Sequence, residues 1–438
     1  MGQPCQQAPN GEVAVRGPLF WFRDDPSHAD GAAAVVYESD GVVLCRDGHV
    51  LATGPWPALR GQVDMPVHHY PNHLITAGFV DAHVHYPQTR ILGGHAGGLT
   101  DWLERHAYPE EERFSDLEHA RSTAGVFCDK LLSNGTTTAL AFCTQHPESV
   151  DALLTETSAR GMRMVAGKVL MDRNAPEPLL DGADHGYEVS SALARRWHGH
   201  GRTGYAVIPR FAPACSPAQL EVAATVRREH PGVLVHSHIA ETTEEVAQVG
   251  RLFPDRDGYL DVYEHHRLTG PGTVLAHAVH LTSAELARCK DTGTALVHCP
   301  TSNLFLGSGL FDLPTALDPA QPVTLGLGTD VGAGTSFSML TTLGAAHQVA
   351  RLRGWSLDPL RGFYLATLGG AHALGLADHV GSLAPGHEAD IVVLDPAATA
   401  PLARCTDRAE SLTDLLFGLA VLGDERAVHA TYVAGHQI

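Results

Sequence analysis

Phe79-Val-Asp-Ala-His83-Val-His85 is a short, largely apolar segment that ends in two histidines separated by one residue. Side chains two residues apart in a β-strand share one face. His83 and His85 are therefore expected to project together from the end of a buried strand. Burying two imidazoles on one face is costly unless hydrogen bonds or a metal ion hold them. Taken alone, the pair is as typical of two packed histidines as of a metal site.

Short apolar segments alternate with longer amphipathic stretches beyond Ile75. This alternation predicts parallel strands joined by helices, two of which we expect at 216–229 and 283–290. Eight such units are typical of an α/β fold of the (β/α)₈ barrel type, in which functional residues gather where the strands end. The eight predicted strands cover residues 77–85, 136–143, 163–171, 205–211, 233–238, 273–277, 294–298 and 323–329.

Histidine or aspartate recurs where other predicted strands end. The fifth ends at His238, the sixth at His277, and Asp330 follows the eighth. Together with His83 and His85, these residues resemble the donor set of a zinc or iron ion that keeps one position open. We predict that His83, His85, His238 and Asp330 bind one metal ion. A water in the open position would have its pKa lowered to about 7.

Glu241 lies three residues after His238, where the chain is expected to turn toward a helix. It is the candidate general acid, which would protonate a ring nitrogen of the substrate while the activated water attacks that ring. His277 is predicted to hydrogen-bond the water, and Asp330 to take its proton. The alternative for Glu241 is a carboxylate stabilised by a helix dipole. His236 shares a face with His238 one layer deeper, so a supporting or core role is expected.

Other metal and phosphate chemistries are less consistent with the sequence. Lys168 could be a carboxylated lysine that bridges two metals, but the bridging lysine of such enzymes belongs on the fourth strand, which has none. A mononuclear site is therefore predicted. The sequence contains neither GxxxxGK[ST] nor the HxE and PCxxC pair of another zinc-deaminase fold. His298, which ends the seventh predicted strand, is left open as a core or pocket residue.

The composition limits the class of protein and its partners. Hydrophobic residues make up 44% of the 438 residues and charged residues 18%, which favours a well-buried globular core. A formal net charge of −19 disfavours binding to nucleic acid or anionic membranes. No apolar run predicts a signal peptide or a membrane span. The eight cysteines are scattered singly, so we expect a reduced, cytoplasmic protein.

The two ends of the chain contain short β-like runs. Those near the start, AVRGPLFWF, AAAVVYES, GVVLCRDG and HVLATG, are broken by Gly, Pro and Asp. We predict that 1–74 and 385–438 form one small β-sandwich domain, flanking a catalytic barrel at 75–384. The segment 86–114 is too long for a simple strand-to-helix loop. Such segments are often lids, and Trp102 within it favours a lid over the site.

Several longer motifs resemble the amidohydrolase superfamily and, within it, the guanine deaminases. The broader resemblance rests on GFVDAHVH, HIAE and GSLAPGHEADIVVLD. The narrower one rests on HYPQ, DWL, NGTTT, AGKVLMDRN, PRFAP, CPTSNL, GSGLF and GTDVGAG. It extends from about residue 14 to the C-terminus, whereas residues 1–13 match nothing and are expected to fray.

This resemblance implies hydrolytic deamination of guanine to xanthine and ammonia. A water activated by one Zn²⁺ per subunit, or by Fe²⁺, would attack C2 while Glu241 protonates N3. The resemblance assigns Gln88 and Arg210 to hydrogen bonds with the purine and Phe211 to packing on its ring. A planar guanidinium suits the 6-oxo group, and a buried aromatic ring suits a flat base.

The resemblance also places His238 and His277 beside the substrate and implies a homodimer. For Arg210 and Gln88, an ion pair at a strand end and an ordinary loop residue remain the alternatives. Two other functions stay open as well. One is an aminohydrolase for another N-heterocycle, such as 8-oxoguanine or a pterin. The other is a metal-binding barrel that has lost catalysis and serves as a scaffold.

Overall fold

The computed structural model describes residues 12–27, 31–320 and 322–438; most of the predicted frayed segment 1–13 lies outside them. The strands are β1 Val13–Phe22, β2 Val35–Arg46, β3 His49–Pro55, β4 Val67–His69, β5 Leu74–Ala77, β6 Phe79–His85, β7 Thr136–Phe142, β8 Arg163–Gly167, β9 Val169–Leu170, β10 Thr203–Pro209, β11 Leu234–Ile239, β12 Thr273–His277, β13 Ala295–His298, β14 Leu325–Leu327, β15 Ile391–Leu394, β16 Val428–Val433 and β17 His436–Gln437.

The helices are α1 Gly31–Ala34, α2 Trp56–Leu59, α3 Leu99–Trp102, α4 Tyr108–Glu111, α5 Leu117–Ser133, α6 Pro147–Ala159, α7 Ala183–Trp197, α8 Pro217–Glu229, α9 Thr243–Leu252, α10 Tyr259–His265, α11 Ser283–Thr292, α12 Pro300–Phe305, α13 Leu313–Ala316, α14 Met339–Leu352, α15 Pro359–Leu365, α16 Leu368–Ala373, α17 Ala400–Thr406 and α18 Leu412–Leu422. Within the described residues, no helix is both long and apolar enough to cross a membrane.

Parallel strands form a nearly closed barrel in the order β14-β13-β12-β11-β10-β8-β7-β6, with β9 extending β8 against β10. The seam between the first and last strands is closed just beyond β14. The Asp330 amide donates to the His83 carbonyl at 2.9 Å, and the His85 amide donates to the Val331 carbonyl at 2.9 Å. The predicted eight-stranded barrel is therefore confirmed. The third predicted strand is interrupted at Lys168, between β8 and β9.

Local sequence signals explain the two helices predicted between strands. Ser216 caps α8, and its hydroxyl accepts from the Gln219 amide. Thr282 and Glu285 form a reciprocal capping box at the start of α11. That helix continues two residues beyond its predicted end, because the glycine that stops it in the left-handed conformation is Gly293, with φ 75°.

The strands at the two chain ends form one continuous mixed sheet in the order β17-β16-β15-β5-β1-β2-β3, with β4 beside β1. The predicted break between AAAVVYES and GVVLCRDG is wrong, because both contribute to β2. This strand pairs along β1 from Phe22 opposite Val35 to Val13 opposite Cys45. The strand continues through Gly41. Glycine is needed at this position because a side chain there would collide with that of Leu19.

A buried group of charges joins the small sheet to the barrel. Glu388, just before β15, accepts from Arg163 Nε at 2.7 Å and from Arg202 Nε at 2.9 Å. Arg202 also donates to Asp390 at 2.6 Å. Burial alone would raise the pKa of Glu388, but hydrogen bonds and charge from the two arginines lower it. The ionised carboxylate therefore stabilises the junction.

We expect Glu388→Gln to lower the free energy of unfolding by about 3 kcal/mol at neutral pH, because the largely buried Arg163 loses its anion and Arg202 keeps only Asp390. Urea denaturation measures this difference. Since folding depresses the pKa of Glu388, its contribution is present above the pKa of the unfolded state and disappears as the pH falls through the folded one. The exposed Asp424–Arg426 pair supplies the control Asp424→Asn, expected to cost less than about 1 kcal/mol. Equal losses in both variants would contradict this interpretation.

Candidate active site

Four strand ends of the barrel bring five titratable side chains together. β6 supplies His83 and His85, β11 supplies His238, β12 supplies His277, and Asp330 follows β14. Asp330 Oδ1 lies 3.2 Å from His83 Nε2 and 3.4 Å from His85 Nε2. The Nε2 atoms of His85 and His238 are 3.1 Å apart. The residues predicted from strand ends therefore converge on one point.

The proton positions on His83 follow from its partners. His236 Nδ1 lies 2.8 Å from the Val274 carbonyl, which can only accept, so this nitrogen carries hydrogen and His236 Nε2 accepts. His83 Nδ1, 2.8 Å from that Nε2, must donate. His83 Nε2 therefore presents a lone pair to Asp330 Oδ1, itself an acceptor. Two acceptors 3.2 Å apart repel each other unless a cation lies between them.

His238 is fixed in the same way. Its Nδ1 lies 2.6 Å from the Arg210 carbonyl, so hydrogen is on Nδ1 and the Nε2 lone pair faces His85. His83 Nε2 and His85 Nδ1 are buried without a hydrogen-bond partner. Three imidazoles and one carboxylate are the donors that zinc or iron prefers. The described side chains therefore fit a bound metal ion.

Donor atoms within 4.8 Å of one another fall into two sets, His83 with His85 and Asp330, and His83 with His238 and His277. His277 was assigned to the water rather than to the ion. Its Nδ1 donates to Asn303 Oδ1 at 2.8 Å, which leaves Nε2 facing the site. That Nε2 lies 3.6 Å from Glu241 Oε2 and 3.8 Å from Asp330 Oδ2. His277 thus lies between the two carboxylates.

Burial and charge set different protonation states within this group. Burial lowers the pKa of His83, His85 and His238, which favours the neutral imidazoles that bind metals. Burial would raise the pKa of Asp330, but the positive charge favoured on neighbouring His277 helps to hold it well below its usual range. For His277 burial lowers the pKa, whereas Glu241 and Asp330 raise it above its ordinary value overall.

Glu241 follows a sharp turn at Ala240, where φ is 47°. Its carboxylate accepts from Ser308 Oγ at 2.9 Å, and its amide donates to Glu245 Oε2 at 2.9 Å. The cap of α9 is Thr242, in a capping box with Glu245. The helix-start role considered for Glu241 is thus filled by these two neighbours. Burial raises the pKa of Glu241.

The residues assigned to the purine line one cavity beside the metal-ligating group. Gln88, Arg210 and Phe211 share this cavity with Glu241 and Asp330. Both Nη atoms of Arg210 donate to one carboxylate, Glu111, at 2.6 and 3.1 Å. Gln88 Nε2 donates to the same carboxylate at 3.1 Å.

Sequence reasoning missed Glu111, Asn303 and Ser308. Glu111 lies in a run of three acidic residues, 110–112, yet its side chain is fully buried. The aromatic residues Tyr108 and Phe114 on either side of it were the signal that this part of the segment packs inward.

The segment 86–114 folds into short helical pieces, including α3, α4 and a π-helical turn at Leu103–Ala107. Leu99, Trp102 and Leu103 line the cavity. They also share an apolar cluster with Leu306 and Ala333 on the barrel side. The segment therefore covers the site; whether it opens as a lid remains a prediction.

Two residues left aside by the sequence argument lie apart from the cluster. Lys168 is buried, and its Nζ donates to Asp181 and to the Val169 carbonyl. Neither set of possible metal donors among the described residues includes it. His298 stacks on Phe311 with ring centroids 4.9 Å apart, and neither ring nitrogen has a partner. Burial lowers its pKa to about 3, so it is neutral.

Comparison with known proteins agrees with this architecture. The sequence model of the Amidohydrolase family matches residues 74–438. The chain belongs to the amidohydrolase family.

Its relatives include the guanine deaminase of Escherichia coli, 47% identical over 431 residues that cover 97% of each chain. A probable guanine deaminase of Deinococcus radiodurans is 41% identical, covering 91% of this chain and 92% of the relative.

Solved structures give the same result. The E. coli guanine deaminase superposes with a TM-score of 0.94, covering 97% of this chain and 99% of that one. A guanine deaminase from C. acetobutylicum with guanine bound in its active site is 26% identical. It superposes with a TM-score of 0.87, covering 98% of this chain and all of the other.

The contact between His236 and His83 generates a test of metal binding. We expect His236→Leu to weaken Zn²⁺ binding about 10–100-fold, because His83 loses the partner that fixes its tautomer. Titration of the metal-free protein with Zn²⁺ in competition with a chelator measures this affinity. His298→Leu is the matched control, because His298 is an equally buried barrel histidine without such a contact, and should keep wild-type affinity. Equal affinities in the two variants would contradict the proton assignment.

Proposed function

We propose that this chain hydrolyses guanine to xanthine and ammonia. The observation that carries the proposal is that Glu241, Arg210 and Asp330 line the same cavity beside a group of metal donors. The similarity to guanine deaminases over nearly the whole chain supports the choice of substrate. Water supplies the oxygen added at C2, and the amino group on that carbon leaves as ammonia.

His83, His85, His238 and Asp330 hold one metal ion, Zn²⁺ in this proposal, with Fe²⁺ as the alternative. The neutral imidazoles and the ionised carboxylate described above support this assignment. When bound, such an ion supplies an activated water at neutral pH. The carbonyl of Arg210 and the ring of His236 hold two of the imidazoles in the required tautomers.

Glu241 and Asp330 divide the proton transfers between them. The raised pKa of Glu241 keeps a proton available for purine N3 nearer to neutral pH than an ordinary glutamate would. Asp330 is ionised and accepts the proton of the attacking water. His277 Nε2, within 4 Å of both carboxylates, donates a hydrogen bond that orients this water when both ring nitrogens carry hydrogen, the form that its raised pKa favours.

Arg210 and Gln88 recognise the purine, and Phe211 packs on its ring. Guanidinium and amide N–H groups donate to the 6-oxo group and its neighbouring acceptor. An adenine amino group in the place of the 6-oxo group is itself a donor, so it would face the N–H donors of Arg210 and Gln88 without an acceptor between them. His238 and His277 border the reacting carbon.

We also propose that the protein is a cytoplasmic homodimer. Large apolar side chains are exposed on α12 and α18, including Phe305, Phe417 and Val421. An apolar surface of this kind is often covered by a second chain, and sedimentation equilibrium tests that. The seven described cysteines are all free thiols, which suits a reducing compartment.

The function is tested by ammonia release from guanine, adenine and 8-oxoguanine, using protein of measured metal content. We expect turnover of guanine and no ammonia from adenine, because adenine carries hydrogen instead of an amino group at C2 and its 6-amino group would face the donors that bind the 6-oxo group. Glu241→Gln should retain the metal and lose about 10²–10⁴-fold in kcat. No ammonia from guanine at one metal equivalent would reject guanine and favour another heterocycle. No ammonia from any heterocycle would favour the scaffold.

The Ser308 hydroxyl provides a pH test of the role of Glu241. Ser308→Ala removes a hydrogen bond to the carboxylate, so the ionised form is less stable and the pKa of Glu241 rises. A general acid with a higher pKa stays protonated longer as the pH increases. We therefore expect the alkaline fall in kcat/KM to occur at higher pH than in the wild type. Ser302→Ala is the control, because the buried Ser302 hydroxyl has no hydrogen-bond partner. Superimposable profiles for all three proteins would rule out Glu241 as the acid.

A further inference from the structure

Glu111, the last residue of α4, is the common partner of the two side chains assigned to the purine. Its carboxylate accepts hydrogen bonds from both Nη atoms of Arg210, at 2.6 and 3.1 Å, and from Gln88 Nε2 at 3.1 Å. The side chain is fully buried and does not line the cavity. It therefore acts on the cavity through Arg210 and Gln88.

We propose that Glu111 is a positioning and specificity-determining residue, which orients both purine-binding groups and cancels the charge of Arg210, so that the pocket favours the neutral substrate over an anionic product. This inference rests on the proposed function, since it concerns the discrimination between guanine and xanthine.

The two-point contact fixes the plane of the Arg210 guanidinium, because rotation about its terminal bond would break one of the two hydrogen bonds. The contact with Gln88 also sets the direction of the amide. Nε2 faces Glu111, while Oε1 lies 3.4 Å from the Gly332 amide, from which it accepts. Both groups are therefore oriented before a ligand arrives, which lowers the entropic cost of binding.

The second effect is electrostatic. Burial would lower the pKa of Arg210, but Glu111 raises it above its ordinary value, so the guanidinium stays charged. The other titratable groups that act on it are Tyr108, whose ring lies under the guanidinium, Asp330 and His85. Without Glu111 this buried cation would attract an anion. Xanthine loses a proton far more readily than guanine, so xanthine is the ligand whose binding would become tighter without Glu111.

A purely structural role makes a different prediction. If Glu111 only anchored α4 to the barrel, its loss would weaken every purine ligand alike. The proposal instead requires a change in preference between ligands of different charge. Hypoxanthine and xanthine provide this comparison, because both carry the 6-oxo group and only xanthine ionises readily.

The experiment compares the metal-loaded wild type with Glu111→Gln and Glu111→Asp at a pH above the pKa of xanthine. For each protein it measures the kinetics of guanine deamination and the inhibition constants of hypoxanthine and xanthine. In Glu111→Gln we expect kcat/KM for guanine to fall about tenfold or more. The inhibition ratio, which is the inhibition constant of hypoxanthine divided by that of xanthine, should rise about tenfold or more because xanthine binds relatively better. Glu111→Asp keeps the charge and should keep the wild-type ratio even where kcat/KM falls. Glu110→Gln is the control, because Glu110 pairs with Arg113 and His119 instead, and should behave as wild type.

An unchanged ratio in Glu111→Gln, whether both ligands weaken equally or neither changes, would overturn the proposal. If that variant does not fold, the wild type still provides the test, because ionisation of xanthine should not tighten its binding to a neutralised Arg210. Tighter binding of the anion would overturn the proposal. Failure of the wild type to deaminate guanine would instead count against the proposed function, and is seen separately in the same assay.

Discussion

The convergence of lone pairs at the mouth of the barrel is the constraint on which the rest of the site depends. His83 Nε2, His238 Nε2 and Asp330 Oδ1 are all acceptors directed at one small region. Such an arrangement is unfavourable in the absence of a cation. Hydrogen bonds from surrounding residues hold these side chains in place. His236 and the Arg210 carbonyl fix two rings, while Asp81 accepts from the Thr329 amide at 3.0 Å and from its hydroxyl. Asp81 thus holds the seam strand one residue before Asp330.

The same seam also closes the barrel. The Asp330 amide donates to the His83 carbonyl, so one of the two hydrogen bonds that close the seam lies between two proposed ligands. The backbone at Asp330 has φ 51°, a conformation that non-glycine residues seldom adopt. Strained backbone of this kind persists where the surrounding structure imposes it, often at functional sites. The same short segment of backbone therefore closes the barrel and positions the Asp330 carboxylate.

The sequence predicted the barrel and the convergence of the candidate ligands at its strand ends, because both depend on short-range patterns. Alternation places His83 and His85 on one face, and parallel strands end at the same edge. Contacts between distant segments were not predictable in this way. Glu111 meets Arg210 across 99 residues and Ser308 meets Glu241 across 67, and no periodicity records such pairs. The break predicted between AAAVVYES and GVVLCRDG was wrong for the same reason. Glycine often ends a strand, but at Gly41 the side chain of Leu19 on the neighbouring strand leaves no room for a larger residue.

The covering segment and purine recognition are physically coupled. Residues 86–114 carry Leu99, Trp102 and Leu103, which line the cavity, and also Glu111, which neutralises Arg210 behind it. A displacement of the whole segment would remove the apolar cover and the carboxylate together, leaving a buried guanidinium without its anion. Because an unpaired buried charge is costly, the ion pair opposes such a displacement. A smaller movement confined to α3, which ends nine residues before Glu111, would uncover the cavity without breaking the pair. The apolar contacts of Trp102 with Leu306 and Ala333 would be its main cost.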